Sequence, residues 1–251
     1  MSQPIATISR GLRGARGAAT REDRAWEIEL TAGSGRLDVS AATALLTELV
    51  DAIAAEGGGP VNWRVPEATE QHRTIATATG FSGDRKLVQL RRPLPHPDAH
   101  LDATPTRPFD PERDVDDWLR VNNAAFAWHP EQRNQSPEHL RQLMSEPWFD
   151  PDGFLVHPPD GPLDGFCWTK VHHEIQPPLG EIFVIGVDPT AAGRGLGRGL
   201  VLAGLHHLAD RGLRTAMLYT EADNAPARRL YQQLGFAEHH AVTVFRREVE
   251  S

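Results

Sequence analysis

The stretch VIGVDPTAAGRGLGRGL, residues 184–200, sets five glycines and two arginines against apolar residues. Glycine inside a helix costs about 1 kcal/mol relative to alanine, so the composition calls for a compensating role. A glycine-rich turn between a buried strand and a helix presents backbone N–H groups at the positive end of the helix, which is an anion site with phosphate as its usual occupant. Two phosphate loops fail here. The nucleotide P-loop needs Lys-Ser/Thr after its glycines, and Gly197 is followed by Arg198-Gly199. The dinucleotide pattern Gly-x-Gly-x-x-Gly is absent, because position 200 is Leu. It also wants an acid ending the next strand; Glu221 could serve, but EADNAPARRLY follows it and points elsewhere.

The elements that must carry this loop are legible around it. LGEIFVIGV is apolar on both faces, the signature of a central buried strand. Ile185 and Val187 flank Gly186, which suggests a β-bulge there. The following helix ends at Gly212; the strand RTAMLYTE, the helix APARRLYQQL stopped by Gly235 and the strand AVTVFRR complete the chain. Upstream, PERDVDDWLRVNNAAF puts Val115, Trp118 and Leu119 on one helical face, and SPEHLRQLMSE opens with Ser136 as N-cap and Pro137 at the first helical position. GFLVHP and GFCWTKVHH read as strands, giving the order α-α-β-β-β-α-β-α-β.

The first part of the chain repeats the end of this order. Gly80-Phe81 and Gly235-Phe236 are 155 positions apart (235 − 80), as are Arg91-Arg92 and Arg246-Arg247. Leu46, Leu49, Val50 and Ile53 have helical spacing, and the same offset carries them to Val201, Gly204, Leu205 and Leu208. A duplicated unit follows, its first copy incomplete and supplying only the last five elements. That copy has lost the loop chemistry: Gly193, Gly195 and Gly197 correspond to Asp38, Ser40 and Ala42, Glu181 to Trp26, and Tyr231 to Ala76. The expected division is a disordered leader over 1–25, a partial degenerate half over 26–95, a Pro-rich linker over 96–110 and a catalytic domain over 111–251.

Composition narrows the class. The 251 residues are 39% hydrophobic, enough for a sizeable core, with no run of the ~20 apolar residues that would span a membrane. The arginine-rich start, MSQPIATISRGLRGARGAATREDR, lacks the apolar centre of a secretory signal. A net charge of −8 argues against a nucleic-acid partner. The single cysteine, Cys167, excludes an intrachain disulfide and fits a reducing cytoplasm. Twelve histidines fall as HH pairs and HPDAH, without metal-ligand spacing, so no metal is expected.

RGLGRGL after VDP, followed by Asn224, Ala227, Leu230, Tyr231, Leu234, Gly235 and Phe236 in N-x-x-A-x-x-L-Y-x-x-L-G-F, resembles the GNAT acetyltransferases. The resemblance implies an α/β tandem GNAT fold, a mixed central sheet flanked by helices with its first repeat incomplete, and acetyl-CoA as co-substrate. It places the pyrophosphate on Ala192, Gly193, Arg194, Gly195, Leu196, Gly197 and Arg198, and the pantetheine arm along Ile185, Gly186 and Val187. Asn224, Ala227, Arg228 and Arg229 complete the expected CoA contacts. The family usually has Gln or Arg where Ala192 stands; because much of the grip is backbone, binding is expected to survive. A narrower resemblance, through RVNNAAFAWHPEQ, WFDPDGF, GFCWTKVH, LGEIFVIGVDP and LYTEADNAPARRLYQQLGF, is to the mycothiol synthase family, tandem GNAT proteins of actinobacteria. It implies transfer of acetyl to the cysteinyl amine of a cysteine–glucosamine–inositol. Another amine, such as a protein N-terminus, and a non-catalytic acyl-CoA-binding module are the alternatives.

Glu181 is the expected general base. The plain reading is a strand-end carboxylate in solvent, but an amine must shed a proton to attack, and a partly buried carboxylate with a raised pKa suits that task. Tyr231 could be core packing; in the family that hydroxyl faces the thioester sulfur, where it can protonate the leaving thiolate. The resemblance puts Glu131, Lys170 and Tyr219, together with Glu181, at the acceptor, whose hydroxyls need convergent polar groups. Glu131 and Lys170 read equally well as surface charge. Cys167 reads as a small core residue. A small-molecule acceptor, a monomer, and no nucleic-acid or membrane partner are expected.

Overall fold

The computed structural model describes residues 7–12, 15–22, 25–32, 38–95, 103–129 and 134–251. In chain order it has β1 (Thr7–Leu12), β2 (Ala15–Glu22), β3 (Ala25–Ala32), α1 (Val39–Ala55), β4 (Gly59–Pro66), α2 (Glu70–Ala78) and β5 (Ser82–Pro93). Then follow β6 (Arg107–Pro108), α3 (Val115–Ala125), α4 (Pro137–Met144), β7 (Phe154–His157), β8 (Gly165–His172) and β9 (Leu179–Val187). The chain ends with α5 (Leu196–Asp210), β10 (Thr215–Glu221), α6 (Ala225–Gln233) and β11 (Ala237–Val249).

The duplication holds element by element. Subtracting the offset of 155 from α6, 225–233, gives 70–78, the bounds of α2. The same shift takes β10 to 60–66 against β4 at 59–66, and β11 to 82–94 against β5 at 82–93. One expectation is corrected. Residues 7–12 and 15–22, expected within a disordered leader, form β1 and β2, which pair antiparallel from Thr7↔Thr20 to Leu12↔Ala15. The first copy therefore has two strands ahead of its last five elements. Among the described residues it has no counterparts of α3 and α4.

Two compact units emerge, and neither is a continuous stretch of chain. The first comprises Met1–Gln89, Thr220–Ala225 and Glu238–Ser251; the second comprises Leu90–Tyr219 and Pro226–Ala237. The contiguous domains expected at 26–95 and 111–251 are thus interleaved. In the first unit β1, β2 and β3 form an antiparallel series, β3 runs parallel to β4, and β4 pairs antiparallel with the chain's last strand, β11, from Val249↔Gly59 to Val242↔Pro66. Its core gathers Trp26, Trp63 and Phe81 with Leu46, Leu49 and Ile53 of α1 and Phe245 of β11. In the second unit β6, β7, β8 and β9 are antiparallel neighbours and β9 runs parallel to β10. Its core is aromatic: Phe154 stacks on Trp168 at 4.2 Å and on Phe109 at 4.3 Å, with Trp118 edge-on at 6.0 Å.

A matched pair of bonds closes each unit. Arg247 of β11 donates to the Thr79 carbonyl at the end of α2, within the first unit. Arg92 of β5 donates to the Leu234 carbonyl at the end of α6, within the second. The donors are related by the repeat offset of 155, and so are the acceptors. Each guanidinium meets the carbonyls that a helix C-terminus leaves unpaired.

Candidate functional site

The glycine loop is built from its first residue. Asp188 accepts from the Thr190 N–H at 2.9 Å and from its hydroxyl at 2.7 Å, so the chain leaves β9 in a tight turn. These Thr190 bonds, helped by an Arg120 ion pair, hold the Asp188 carboxyl below the usual range. Gly193 and Gly195 both sit at φ +79, and a Cβ on either would meet no atom within 4 Å. Gly195 is the N-cap of α5 with no side-chain cap. The first intrahelical bond is from Gly199 N to Gly195 O at 3.2 Å, so the N–H groups of Leu196, Gly197 and Arg198 have no carbonyl within the helix. The first turn holds no acidic residue. A cavity of about 410 Å³ opens here, lined by Arg194, Gly195, Leu196 and Arg198 together with Thr104 and Asp164. Uncapped N–H groups, two guanidinium side chains and backbone bare of Cβ atoms fit a phosphate anion.

The strand feeding this loop is splayed. On one side β9 pairs with β8 along its length; on the other its parallel register with β10 consists of Ala216↔Gly180 and Met217↔Glu181 among the described residues. From Ile182 to Val187, a stretch that includes Ile185, Gly186 and Val187, β9 has no register partner on β10 among the described residues. The bulge expected at Gly186 is elsewhere. Gly186 is in register with Phe166, and the irregularity falls where Trp168 faces Val184 while Thr169 faces Ile182, leaving Phe183 unopposed. Gly186 is glycine for a packing reason: a Cβ there would come within 2.6 Å of the Phe166 ring.

Glu181 stands at the last β9–β10 pair and is 8% exposed. Its cross-strand neighbour on β8 is Lys170. The Lys170 ammonium lies 4.5 Å from the Trp148 ring centroid and 5.6 Å from that of Phe183, the bulged residue. The basic side chain that reaches Glu181 is His172, whose Nε2 is 2.7 Å from Oε2. That bond holds the His172 ring above the ordinary imidazole range, with Glu174 adding to it and burial and Lys170 opposing. Tyr219 is exposed on β10, two residues past the partner of Glu181.

Tyr231 is buried on α6, its ring 5.9 Å from Phe236. Burial pushes its hydroxyl well above the ordinary phenol range, with Cys167 contributing. Burial likewise pushes the Cys167 thiol up to about 12, so Cys167 is inert core, as its sequence context suggested. Asn224 lies in the turn after Glu221, its N–H 3.1 Å from the Glu221 carbonyl. Ala227 and Arg228 are half-buried on α6, Arg229 is exposed, and none of the three lines the cavity. Ala192 is exposed beside Gly193. Glu131 falls outside the described residues. Local sequence does not mark Thr104 and Asp164 at the cavity, nor His172 beside Glu181. Neither assignment carries a local motif; both depend on strand register.

The acetyltransferase (GNAT) family model matches residues 118–236. A mycothiol acetyltransferase of Thermomonospora curvata is 52% identical over 169 residues, covering 66% of this chain and 56% of that protein. A mycothiol acetyltransferase of Acidimicrobium ferrooxidans is 45% identical over 224 residues, covering 85% of this chain and 71% of that protein. Against the first of these relatives the chain spans little more than half the length, 56%. Among solved structures, a tandem GNAT protein from the clavulanic acid biosynthesis pathway matches with a TM-score of 0.68, covering 99% of this chain and 85% of that chain. At 17% identity that likeness is one of fold.

Proposed function

The chain belongs to the GNAT acetyltransferase family, and on that footing we propose that it moves the acetyl group of acetyl-CoA onto a primary amine. The acceptor we assign is the cysteinyl amine of a cysteine–glucosamine–inositol, in line with relatives named mycothiol acetyltransferases. The observation that carries the reading is the splay of β9: the strand parts from β10 at a buried carboxylate and runs directly into an uncapped, glycine-lined helix N-terminus.

In this reading the N–H groups of 196–198, with Arg194 and Arg198, take the pyrophosphate, and the unpaired edge of β9 takes the amides of the pantetheine arm. Those contacts hold the thioester beside Glu181. The amine nitrogen forms a bond to the thioester carbonyl carbon as its proton passes to the Glu181 carboxylate, directly or through one water. Collapse of the tetrahedral adduct breaks the C–S bond and releases the CoA thiolate. Tyr231 donates its hydroxyl proton, or a hydrogen bond, to that sulfur. Its burial keeps it protonated through the working range and makes it a weak acid; a thiolate whose parent pKa is about 8.5 needs only modest help. Lys170 and Tyr219, with Glu131, serve the hydroxyl-rich acceptor.

The test is incubation with acetyl-CoA and a panel of amines that includes cysteinyl-glucosaminyl-inositol, read by mass spectrometry. One acetyl gained per CoA thiol released, with that acceptor preferred, is the expected result. Acetylation of a peptide N-terminus instead moves the acceptor assignment. Tight CoA binding with no acetylated amine leaves a binding module and overturns the enzyme.

A further inference from the structure

The groups around Glu181 form a row that leads out of the protein. Glu181 Oε2 is 2.7 Å from His172 Nε2, and His172 Nδ1 is 2.8 Å from Glu174 Oε1. Side-chain exposure along the row runs from 10% at Glu181 through 14% at His172 to 70% at Glu174. An ionised carboxylate is acceptor-only, so an imidazole set between two carboxyl groups is favoured in its doubly protonated form, and its pKa is raised. The inner bond, to buried Glu181, is the short, charge-assisted kind; the outer one, to exposed Glu174, is screened by solvent.

The strand geometry explains why this row forms. Lys170 and His172 are two apart on β8 and so share a face. Lys170 is the direct cross-strand partner of Glu181, and His172 is the diagonal one. The Lys170 ammonium is spent on the Trp148 and Phe183 rings. Among the described residues the side chain that grips Glu181 is His172, through Oε2, so Oε1 is the oxygen assigned to the substrate. Glu174, beyond it, fixes the ring from the solvent side.

We propose that His172 is the positioning residue of this site, holding Glu181 by one carboxylate oxygen with a positive charge that Glu174 secures. The inference rests on the reading of Glu181 as the base that takes the amine's proton. His172 touches neither substrate. It sets which oxygen of Glu181 is available and places a counter-charge beside that buried side chain. Activity therefore requires the imidazolium and falls at alkaline pH as it is lost. The charged groups facing the ring are Glu181, Glu174 and Lys170.

The experiment uses the full chain with acetyl-CoA and whichever amine it acetylates, under conditions where chemistry limits the rate. His172→Gln keeps an N–H for Glu181 and removes the charge; His172→Leu removes both. General-base catalysis is typically worth about 10²–10⁴-fold, so kcat should fall about 10-fold for His172→Gln and further for His172→Leu. Both KM values should stay within about twofold. The alkaline limb of the wild-type kcat profile should move to lower pH in Glu174→Gln and vanish in His172→Gln. An NMR titration of the His172 ring should show the same downward move in Glu174→Gln, without any substrate present. Wild-type kcat in His172→Gln overturns the inference. So does an equal loss in both His172 variants with the alkaline limb unmoved, since that is what a purely structural bond would give. Glu181→Gln separates the two layers: if it retains the wild-type rate, the base reading fails and takes this inference with it. If it is inactive while His172→Gln is unaffected, the inference alone falls.

Discussion

Gly195 and Gly212 make a matched pair of perturbations. They have φ +79 and +80, and a Cβ on either meets no atom within 4 Å. One lies at the start of α5, in the wall of the cavity; the other lies two residues past its end. Alanine at a left-handed position costs about 1–2 kcal/mol. For a chain of this size each kcal/mol lowers Tm by about 2–4 °C, so Gly195→Ala and Gly212→Ala should each lose about 2–8 °C. Their effects on CoA should differ. Gly195 lines the cavity proposed to take the pyrophosphate, so its methyl adds bulk to the wall of that site. A hydrogen bond to a charged group contributes about 1.5–3 kcal/mol. Displacing the phosphate from two such bonds costs about 3–6 kcal/mol, or about 10²–10⁴-fold in Kd. Calorimetric titration of CoA at fixed salt, beside a thermal melt of each variant, reads both quantities. Gly212→Ala should bind CoA like the wild type. If Gly195→Ala melts with Gly212→Ala yet keeps wild-type CoA affinity, the phosphate is not held on this helix end.

Three further outcomes follow from the site. Tyr231→Phe keeps the buried ring and deletes the hydroxyl; kcat should fall about 10–10²-fold, the low end for acid catalysis, with CoA affinity unchanged. Full kcat under chemistry-limited conditions makes Tyr231 a packing residue. Lys170→Ala and Glu131→Ala should each raise the acceptor KM about 10-fold or more and leave the acetyl-CoA KM alone, because uniform binding to one substrate is lost; parallel changes in both constants would remove them from the acceptor site. Calorimetry should count one CoA per chain. In the first copy the Asp38 carboxylate already accepts from the Ala41 N–H at 2.7 Å, so that helix end carries its own anion, and a second site of similar affinity would contradict this account.

The sequence revealed what repeats along the chain and hid what depends on register across it. Gly80-Phe81 and Gly235-Phe236 mark helix ends with φ near +75, so a local backbone demand made the duplication visible. The loop was legible for the same reason. β1 was not, because its residues are all exposed or half-buried, which leaves no apolar alternation to read. Gly186 looks like a bulge position in sequence because the Phe166 ring that forbids its side chain lies on another strand. His172 was passed over because a histidine gains its meaning from the groups opposite it, and the Lys170↔Glu181 register had to be seen first. The interleaving of the units was likewise invisible, since nothing in AVTVFRR says that it will pair with GPVNWRVP.

The reciprocal bonds of Arg92 and Arg247 bear on how such a protein can change over time. The half that lost its glycines, its glutamate and its tyrosine still houses β11, the final strand of the half that kept them. The last residues of β5 in turn belong to the unit that carries the loop. A gene cut at the Pro-rich linker would hand each product a missing strand and an arginine with no helix end to close. The half without the glycines thus serves as a folding partner: Asp38 now caps α1 and Ala42 fills the core where the other copy has glycines, and β4 keeps the strand edge on which the chain's last strand is completed.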